Sequence, residues 1–230
     1  MRIVSWNCNM AFRKKQQKLI ETYDPDIVLI QECEISDKYH SMFENKIWKG
    51  DNVNKGIGIF SKKGFILKEL QINLDVKYFQ ICEVNNKLLL INIWAMNDIE
   101  NSEQRYIGQV SKLVNELIKT NILNRKVIIA GDFNWNKIWD KSSRRLKGSI
   151  TEVVEKVKLF NIESIYHNEF NQKFGEESIP TFYMYRKRDK LYHTDYVFMS
   201  NLIQTVDFKV GKYKEWNDYS DHMPLVIEVE

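Results

Sequence analysis

Polar side chains adjoin six strand-like runs of the sequence, near the point where each run begins or ends. They are Asn7 and Asn9 after RIVSW, Glu32 after DIVLIQ, Asn92 and Asn97 in and after LLLINIWA, Asp132 and Asn134 after KVIIAG, Asp195 in HTDYVFM, and Asp221 and His222 before PLVIEV. A turn explains any one of these groups, because Gly, Asp and Asn are common in turns. Six groups together indicate one site at which the strand ends meet.

The residue types in this set restrict the chemistry of the predicted site. Carboxylate and amide oxygens, without thiolates or clustered histidines, favour Mg²⁺ or Mn²⁺ over zinc. The sequence contains neither a glycine-rich phosphate loop nor a G-x-S-x-G nucleophile motif. A divalent metal, several carboxylates and a histidine, without a side-chain nucleophile, predict attack by water on a phosphoester.

Histidine is scarce, with 4 residues in the chain. Only His222 adjoins an acidic residue within one of the strand-end groups. His193 is two positions from Asp195, so the two side chains share one face of a strand, and a supporting contact is compatible with that spacing. We expect His40 and His167, which lie in helix-like or loop-like sequence, at the surface.

The length and charge of the chain bound its class. A chain of 230 residues predicts a single domain over residues 1–230, whose core needs no disulfide or metal to be stable. The net charge of +3, from 34 basic and 31 acidic residues, does not by itself argue for nucleic acid. Basic residues do cluster in FRKK (12–15), SRRLK (143–147) and YRKRDK (185–190).

The cysteines and the N-terminal segment predict the location of the protein. Cys8, Cys33 and Cys82 form no C-x-x-C pair, which argues against a disulfide framework and a zinc site and favours a reducing compartment. The sequence shows no signal peptide and no apolar run of membrane-spanning length. We therefore expect a cytoplasmic protein without a membrane partner. The sequence does not determine the oligomeric state, and a monomer is assumed.

Short β-like runs and a few helical patterns must position these side chains. The runs cover residues 2–6, 26–31, 56–61, 65–70, 79–84, 88–95, 126–131, 181–185, 193–199, 206–210 and 224–229, and the helical patterns cover 13–23, 102–119 and 150–160. Asn101 is a candidate N-cap of the second helix, and Ser149 with Glu152 has capping-box spacing at the third. Because so many strands exceed one open sheet and several are apolar throughout, we predict an α/β fold. In it, two mixed, mainly antiparallel sheets pack face to face with helices outside.

The ordered motifs SWNCN, IQE, INIW, GDFN, HTDYVF and SDHMP resemble those of the endonuclease/exonuclease/phosphatase superfamily, the DNase I-like group. They occur in the order typical of that family from residue 3 to residue 224, so the resemblance covers almost the whole chain. A single G-D-x-N motif is weak, whereas the ordered set is specific. The family's four-layer α/β sandwich agrees with the strand pattern.

The resemblance implies a role for each matching position. Glu32 would be the main ligand of Mg²⁺ or Mn²⁺, with Asn7 and Asp221 close to the ion. Asp132 would orient or deprotonate the attacking water, and Asn134 would hold the phosphate or that water.

The resemblance also implies a pair between Asp195 and His222. Asp195 would hydrogen-bond the imidazole and keep it cationic against the phosphoryl oxygens. Some relatives are instead described with this histidine as the base, and the sequence leaves both roles open. Asn9 lies where some relatives have an aspartate on the metal side.

Trp94 departs from the family pattern, because nuclease relatives have histidine or tyrosine at this position. Indole does not donate a proton as an acid at ordinary pH, so Trp94 does not protonate the leaving group, and metal-bound water is the alternative. The segment also lacks the N-T-H-L pattern of relatives that act on phosphotyrosyl-DNA, lipid and poly(A). Asn97 matches a phosphate-contacting asparagine of the abasic-site enzymes. PTFYMY (180–185) falls where relatives place substrate-facing aromatics, although alternating core and surface positions explain it equally well.

These observations predict a divalent-metal-dependent phosphodiesterase, and they favour a nuclease acting on DNA or RNA. The residues predicted to contact the substrate or its phosphate are Asn9, Asn92, Trp94, Asn97, Arg144, Arg145, Arg186 and Arg188. Three alternatives stay open. They are an enzyme acting on a small phosphorylated molecule or a lipid head group, a repair enzyme for abasic or blocked DNA ends, and an inactive binding module. The basic runs argue against the first, and the set of acidic, amide and imidazole groups argues against the last.

Overall fold

Two six-stranded sheets form the centre of the computed structural model, which describes residues 1–35, 37, 39, 41–141 and 146–230. The strands are β1 (Arg2–Asn7), β2 (Ile27–Cys33), β3 (Asn45–Asn52), β4 (Lys55–Ser61), β5 (Leu67–Glu69), β6 (Phe79–Val84), β7 (Leu88–Trp94), β8 (Val127–Asp132), β9 (Ile162–Ser164), β10 (Phe182–Tyr183), β11 (Leu191–Tyr192), β12 (Asp195–Ser200), β13 (Thr205–Val210) and β14 (Leu225–Val229). The helices are α1 (Phe12–Tyr23), α2 (Ile107–Lys119), α3 (Ile150–Lys158), α4 (Ile165–Phe170) and α5 (Tyr213–Trp216), with 3-10 turns at Ser102–Gln104, Lys137–Trp139 and Met184–Arg186.

Strand direction is mixed in both sheets. The first sheet has the order β13-β14-β1-β2-β4-β3, and the second has the order β5-β6-β7-β8-β12-β9. One central pair in each sheet is parallel, β1 with β2 and β7 with β8, and the other neighbours are antiparallel. The prediction of two mixed, mainly antiparallel sheets is confirmed.

Successive apolar residues on the central strands face opposite sides of a sheet and so produce the layers. On β1, Ile3 faces the second sheet, whereas Val4 faces outward toward Phe12 of α1. On β8, Ile128 lies between the sheets, whereas Ile129 faces α2 and α3. Each fully buried apolar side chain of this kind contributes ~1.5–3 kcal/mol of transfer free energy. The order helix–sheet–sheet–helix is therefore the predicted four-layer sandwich.

The helices begin near the predicted positions, with one difference. Ser149 accepts a hydrogen bond from the N–H of Glu152 at 3.0 Å, so the predicted N-cap of α3 is confirmed. The segment predicted as one helix over 102–119 instead begins with the 3-10 turn, where Asn101 accepts from the N–H of Glu103. Tyr106, at φ 48°, interrupts it before α2. The apolar stripe of α2 is then buried as expected.

The elements that the sequence did not predict are short or half-exposed. Strand β3 lies at the edge of its sheet, and its residues NKIWKGDN lack a regular apolar alternation. Strand β9 and helices α4 and α5 have 3, 6 and 4 residues, too few for a periodic pattern. The run TFYMY stops being a strand after Tyr183, and Tyr185 in the following turn has φ 57°.

The cysteines are buried, and Cys8, Cys33 and Cys82 are all unpaired. Burial raises the pKa of each thiol, so none is a reactive thiolate.

Among the helices in the described part of the chain, none has both the length and the apolar character needed to cross a membrane. The assignment of one domain to residues 1–230 stays a prediction.

Candidate active site

Strand direction brings the predicted functional residues to one edge of the sandwich. Asn7 and Asp132 are the last residues of β1 and β8, and Glu32 lies near the end of β2. These strands belong to the two parallel central pairs, and their carboxyl ends bring the three residues to this edge. Asp195 opens the antiparallel strand β12 and pairs directly with Asp132. His222 precedes β14, which runs antiparallel to β1 and therefore begins at the same edge.

A β-bulge directs Glu32 into the site. The register of β2 against β4 shifts between Gln31 and Cys33, and Glu32 has φ 59°. A bulge re-aims the side chain of the extra residue, and a positive φ in a residue other than glycine costs ~1–3 kcal/mol that the surrounding fold must offset. The Oε1 atom of Glu32 accepts a hydrogen bond from Asn7 Nδ2 at 3.3 Å, and Oε2 is 3.1 Å from Lys55 Nζ.

Asn7 connects the carboxylates of the site. Its Nδ2 donates to Asp132 Oδ2 at 2.9 Å as well as to Glu32. Its Oδ1 accepts the N–H of Asn9 at 3.0 Å, and Asn9 Nδ2 in turn donates to Asp221 Oδ1 at 2.8 Å. The predicted group Asn7, Glu32 and Asp221 is thus linked by two asparagine side chains.

His222 lies between two buried carboxylates. Its Nδ1 is 3.0 Å from both oxygens of Asp195, and its Nε2 is 3.9 Å from Asp132 Oδ2. The hydroxyl of Thr181 donates to Asp195 Oδ2 at 2.7 Å. The backbone of Phe182 pairs with that of His222, and their ring centroids are 4.5 Å apart. These contacts fix the orientation of the imidazole.

The charges of this group shift its pKa values. Burial by itself lowers the pKa of His222, but the carboxylates of Asp195 and Asp132 outweigh burial and raise it. Burial raises the pKa of Asp132, and Asp195 adds to this effect, while the imidazolium and the Asn7 amide oppose it. The arrangement therefore favours a cationic imidazole beside Asp132.

Asn134 is held next to Asp132 by a tight turn. Its backbone N–H donates to Asp132 Oδ1 at 2.8 Å, and its φ is 50°, a conformation that asparagine tolerates better than most residues. Its Nδ2 donates to the carbonyl oxygen of Ala95 at 3.2 Å.

Two residues predicted to contact substrate are buried. Asn92 is 0% exposed, accepts from Gln31 Nε2 at 2.7 Å and donates to the carbonyl oxygen of Gly58 at 3.1 Å. Asn92 therefore connects the two sheets and has no atom free for phosphate, contrary to the prediction. Trp94 is 2% exposed, and its ring faces the ammonium of Lys55, with 5.1 Å between Nζ and the ring centroid. A direct substrate contact through the indole does not agree with that burial.

The remaining predicted substrate contacts lie outside this cluster. Asn97 is exposed in the segment after β7. Arg186 and Arg188 are exposed between β10 and β11, where the Arg186 guanidinium donates to the carbonyl oxygen of Asp218 at 3.1 Å. The Arg188 guanidinium is 4.7 Å from the ring centroid of Tyr213.

Arg144 and Arg145 fall outside the described residues, as does His40.

His167 and His193 are structural rather than exposed or catalytic. His167 is 8% exposed, and its ring nitrogens lie 2.7 Å from Ser164 Oγ and 3.2 Å from Glu177 Oε1. The prediction that His167 lies at the surface is therefore wrong. The hydrogen bond of the buried His193 Nδ1 is to the carbonyl oxygen of Ile179, at 2.9 Å, rather than to the neighbouring aspartate.

Sequence patterns missed three residues that contact the site. They are Thr181, Lys55 and Ser220, whose hydroxyl donates to the carbonyl oxygen of Asn7 at 2.8 Å. Thr181 falls within PTFYMY, the segment predicted to place aromatic side chains toward the substrate. Ser220 precedes the D-H motif directly. Nothing in the sequence around Lys55 distinguishes it from other lysines.

Two sets of ligands at this edge suit a cation differently. Asp132, Asp195 and His222 bring one ligand atom each within 4.8 Å of one another. A cation among them would displace the hydrogen bond between His222 and Asp195, and hard ions prefer oxygen to imidazole. Glu32 is more open, with 20% of its side chain exposed, and an ammonium already lies against its Oε2. Glu32 is therefore the carboxylate that fits Mg²⁺ or Mn²⁺ better, and the amide of Asn7 lies beside it, 3.3 Å from Oε1.

The sequence profile described as "Endonuclease/Exonuclease/phosphatase family" matches residues 4–222. This chain belongs to the endonuclease/exonuclease/phosphatase family. No curated protein sequence matches the chain.

Solved structures of a 3′ phosphatase, an exonuclease and an AP endonuclease resemble the whole chain. A variant of the 3′ phosphatase NExo from Neisseria, bound to a product DNA hairpin, has 18% identity and a TM-score of 0.74, over 100% of this chain and 99% of that one. The 3′-5′ exonuclease NExo from Neisseria meningitidis has 17% identity and a TM-score of 0.72, over 100% of both chains. An AP endonuclease from Archaeoglobus fulgidus has 18% identity and a TM-score of 0.74, over 100% and 99%. At this identity the likeness establishes the DNase I-like fold.

Proposed function

We propose that this family member is a divalent-metal-dependent phosphodiesterase that hydrolyses nucleic acid. The observation that carries the proposal is the position of His222, which lies 3.0 Å from Asp195 and 3.9 Å from Asp132 at the edge where Asn7 donates to both Asp132 and Glu32. Acidic, amide and imidazole groups converge there from both sheets. A structural role alone does not require a buried imidazole between two carboxylates.

The groups divide into those that act on water and those that bind the phosphoryl oxygens. Asp132 orients the attacking water and accepts its proton. His222, kept cationic by Asp195, stabilises the negative charge that develops on the phosphoryl oxygens. Asn134 adds an amide donor beside Asp132. Mg²⁺ or Mn²⁺, held by Glu32 with Asn7 and Asp221, would supply further positive charge to the phosphoryl group.

The environment of His222 supports its assignment as a cation rather than as the base. A general base must be neutral before it accepts a proton, and the two neighbouring carboxylates favour the charged imidazole. Asp132 has the hydrogen-bond position suited to the base, because Asn7 and the N–H of Asn134 orient its two oxygens.

The hairpin of β10 and β11 supports nucleic acid over a small phosphoester. It begins at Phe182, whose backbone pairs with His222, and its turn carries the exposed side chains of Tyr185, Arg186 and Arg188. Cations together with an exposed aromatic side chain suit a phosphate backbone and its bases. The product DNA hairpin in the Neisseria 3′ phosphatase structure points to the same substrate class. Cytoplasmic location and a monomeric state stay predictions.

A substrate panel tests this proposal. Single-stranded DNA, duplex DNA, RNA, abasic DNA, nucleotides and phosphoinositides are each incubated with Mg²⁺ or Mn²⁺, and with EDTA as the control. We expect hydrolysis of a nucleic acid that EDTA abolishes and that His222→Ala abolishes as well. Hydrolysis of only nucleotides or phosphoinositides would replace the nuclease proposal by the small-phosphoester alternative. No metal-dependent hydrolysis of any substrate would overturn the proposal.

A further inference from the structure

Lys55 lies at the carboxylate that is proposed to hold the metal. It opens β4, the strand next to β2, and its Nζ is 3.1 Å from Glu32 Oε2. The side chains of Lys55 and Glu32 are 35% and 20% exposed, so the pair lies at the mouth of the site rather than on an open surface. The partial burial reduces the screening of this ion pair by solvent.

The same ammonium contacts the opposite sheet. Lys55 Nζ is 5.1 Å from the ring centroid of Trp94, at the end of β7. The face of an indole attracts a cation more strongly than the other aromatic rings do. Lys55 therefore has two anchors, an anionic one on the first sheet and an aromatic one on the second.

We propose that Lys55 is an internal counter-ion of Glu32 that a divalent cation displaces, and that the displaced ammonium then binds a phosphate oxygen of the substrate. The inference rests on the proposed function, because it requires a metal at Glu32 and a phosphoester in the site. A divalent ion and an ammonium compete for the same carboxylate oxygen, and they repel each other at such short range. The more highly charged ion takes the carboxylate.

Trp94 determines where the ammonium goes. With Glu32 occupied, the attraction of the indole face keeps Lys55 at the edge of the site, and its N–H donors are then free of the carboxylate. A phosphate oxygen beside the metal is the strongest acceptor within this space. An aromatic residue without an acidic proton is thus useful at position 94, because it holds a cation in place of donating a proton.

Lys49 is a matched control for Lys55. It lies on the neighbouring strand β3, and its Nζ is 4.6 Å from the ring centroid of Phe79. It shares the lysine side chain and the aromatic anchor with Lys55, but its cation lies over Phe79 rather than beside Glu32. Lys49→Gln therefore reproduces the loss of charge without the loss of the counter-ion.

The test measures metal affinity without substrate. Mn²⁺ is titrated by calorimetry into the wild type, Lys55→Gln, Lys55→Arg and Lys49→Gln. Removing a partly exposed ion-pair partner should tighten Mn²⁺ binding to Lys55→Gln by about two- to fivefold. Lys55→Arg and Lys49→Gln should bind as the wild type does. Wild-type or weaker affinity in Lys55→Gln would overturn the inference, as would a wild type that does not bind Mn²⁺.

The second measurement is hydrolysis at saturating Mn²⁺ with the best substrate of the panel. The kcat/KM of Lys55→Gln should fall about tenfold or more, the size expected for a lost charge-assisted phosphate contact, and Lys49→Gln should be unchanged. A wild-type kcat/KM in Lys55→Gln would refute the phosphate contact. A wild type that binds Mn²⁺ but hydrolyses nothing would refute the proposed function and the phosphate contact, while the affinity series would still decide the counter-ion.

Discussion

Replacing Asp195 by asparagine separates the charge of this residue from its shape. The carboxylate lies 3.0 Å from His222 Nδ1 and also accepts the hydroxyl of Thr181 at 2.7 Å. Asparagine retains one oxygen for these donors but presents an amide N–H₂ in place of the other. We expect the protein to fold, but His222 then lacks the neighbouring negative charge that favours its cationic form.

The magnitude follows from the geometry. Two unit charges 3.0 Å apart attract each other by ~5 kcal/mol at an effective dielectric constant of ~20. That energy corresponds to a factor of about 10⁴ in rate. In the variant, Asp132, whose Oδ2 is 3.9 Å from His222 Nε2, still provides part of the stabilisation of the cation. The kcat of Asp195→Asn should therefore fall by ~10²–10⁴. Metal binding should persist, because Asp195 contacts neither Glu32 nor Asn7 directly.

The assay is a double-mutant comparison under saturating Mg²⁺. His222→Ala should be at least as damaging as Asp195→Asn, and the double mutant should be little worse than His222→Ala alone, because the two residues act as a unit. Asp207 pairs with Lys209 at the surface, so Asp207→Asn is the control for replacing an aspartate by asparagine. This variant should keep wild-type activity.

Losses that multiply in the double mutant would refute the paired role of Asp195 and His222. A loss below about tenfold in Asp195→Asn would refute the electrostatic argument, since it would leave most of the calculated attraction unexplained. Melting temperatures of all variants separate these outcomes from unfolding.

Three further predictions address the metal, the substrate and acid stability. Glu32→Gln should weaken Mg²⁺ binding and slow hydrolysis, because an amide lacks the charge that holds a hard cation. A metal titration identical to that of the wild type would show that Glu32 is not a metal ligand. The double variant Arg186→Gln, Arg188→Gln should show a shallower slope of log affinity for nucleic acid against log salt concentration. The slope should fall by up to ~1.8, at ~0.9 for each phosphate contact. An unchanged slope would favour the small-molecule alternative. Burial opposes the charged form of Glu177, but hydrogen bonds led by that from His167 lower its pKa to about 2. Solvent screens this partly buried carboxylate, so its contribution should be ~1–2 kcal/mol, present above pH ~4.5 and lost as the pH falls toward about 2. Acid unfolding of Glu177→Gln should show a shallower loss over that range, and an identical acid transition would contradict the assignment.

The number of strand-like runs, several of them apolar throughout, was sufficient to predict the two-sheet architecture, and the polar groups beside those runs predicted that the strand ends meet at one edge. Strands β1 and β8 are apolar on both faces, and this indicates that both faces are covered, because side chains on a strand point to opposite faces at every step. Asn7 and Asp132 end buried runs and Asp195 begins one, at positions where carboxylates and amides are otherwise uncommon. Both signals depend only on residues that are close together in the chain, so they can be recognised in a single sequence.

The errors concern residues whose environment comes from distant segments. Asn92 carries the same polar signal as the site residues, but its place in the middle of the sandwich puts its amide between the sheets, beside Gln31 and Gly58. His167 was expected at the surface, but the packing of α4 against β9 and β12 buries it. Neither outcome follows from neighbouring residues, since burial depends on which elements pack above a given position.

The amino-acid sequence by itself determined the apolar strand runs, the cap of α3 and the residue types that make hydrolysis of a phosphoester the expected chemistry. Only the tertiary structure decided how those residues combine, because contacts between strands far apart in the chain depend on strand order, direction and register. The bulge that turns Glu32 into the site arises from the register of β2 against β4. The ammonium of Lys55 lies between Glu32 and Trp94 because the two sheets pack face to face.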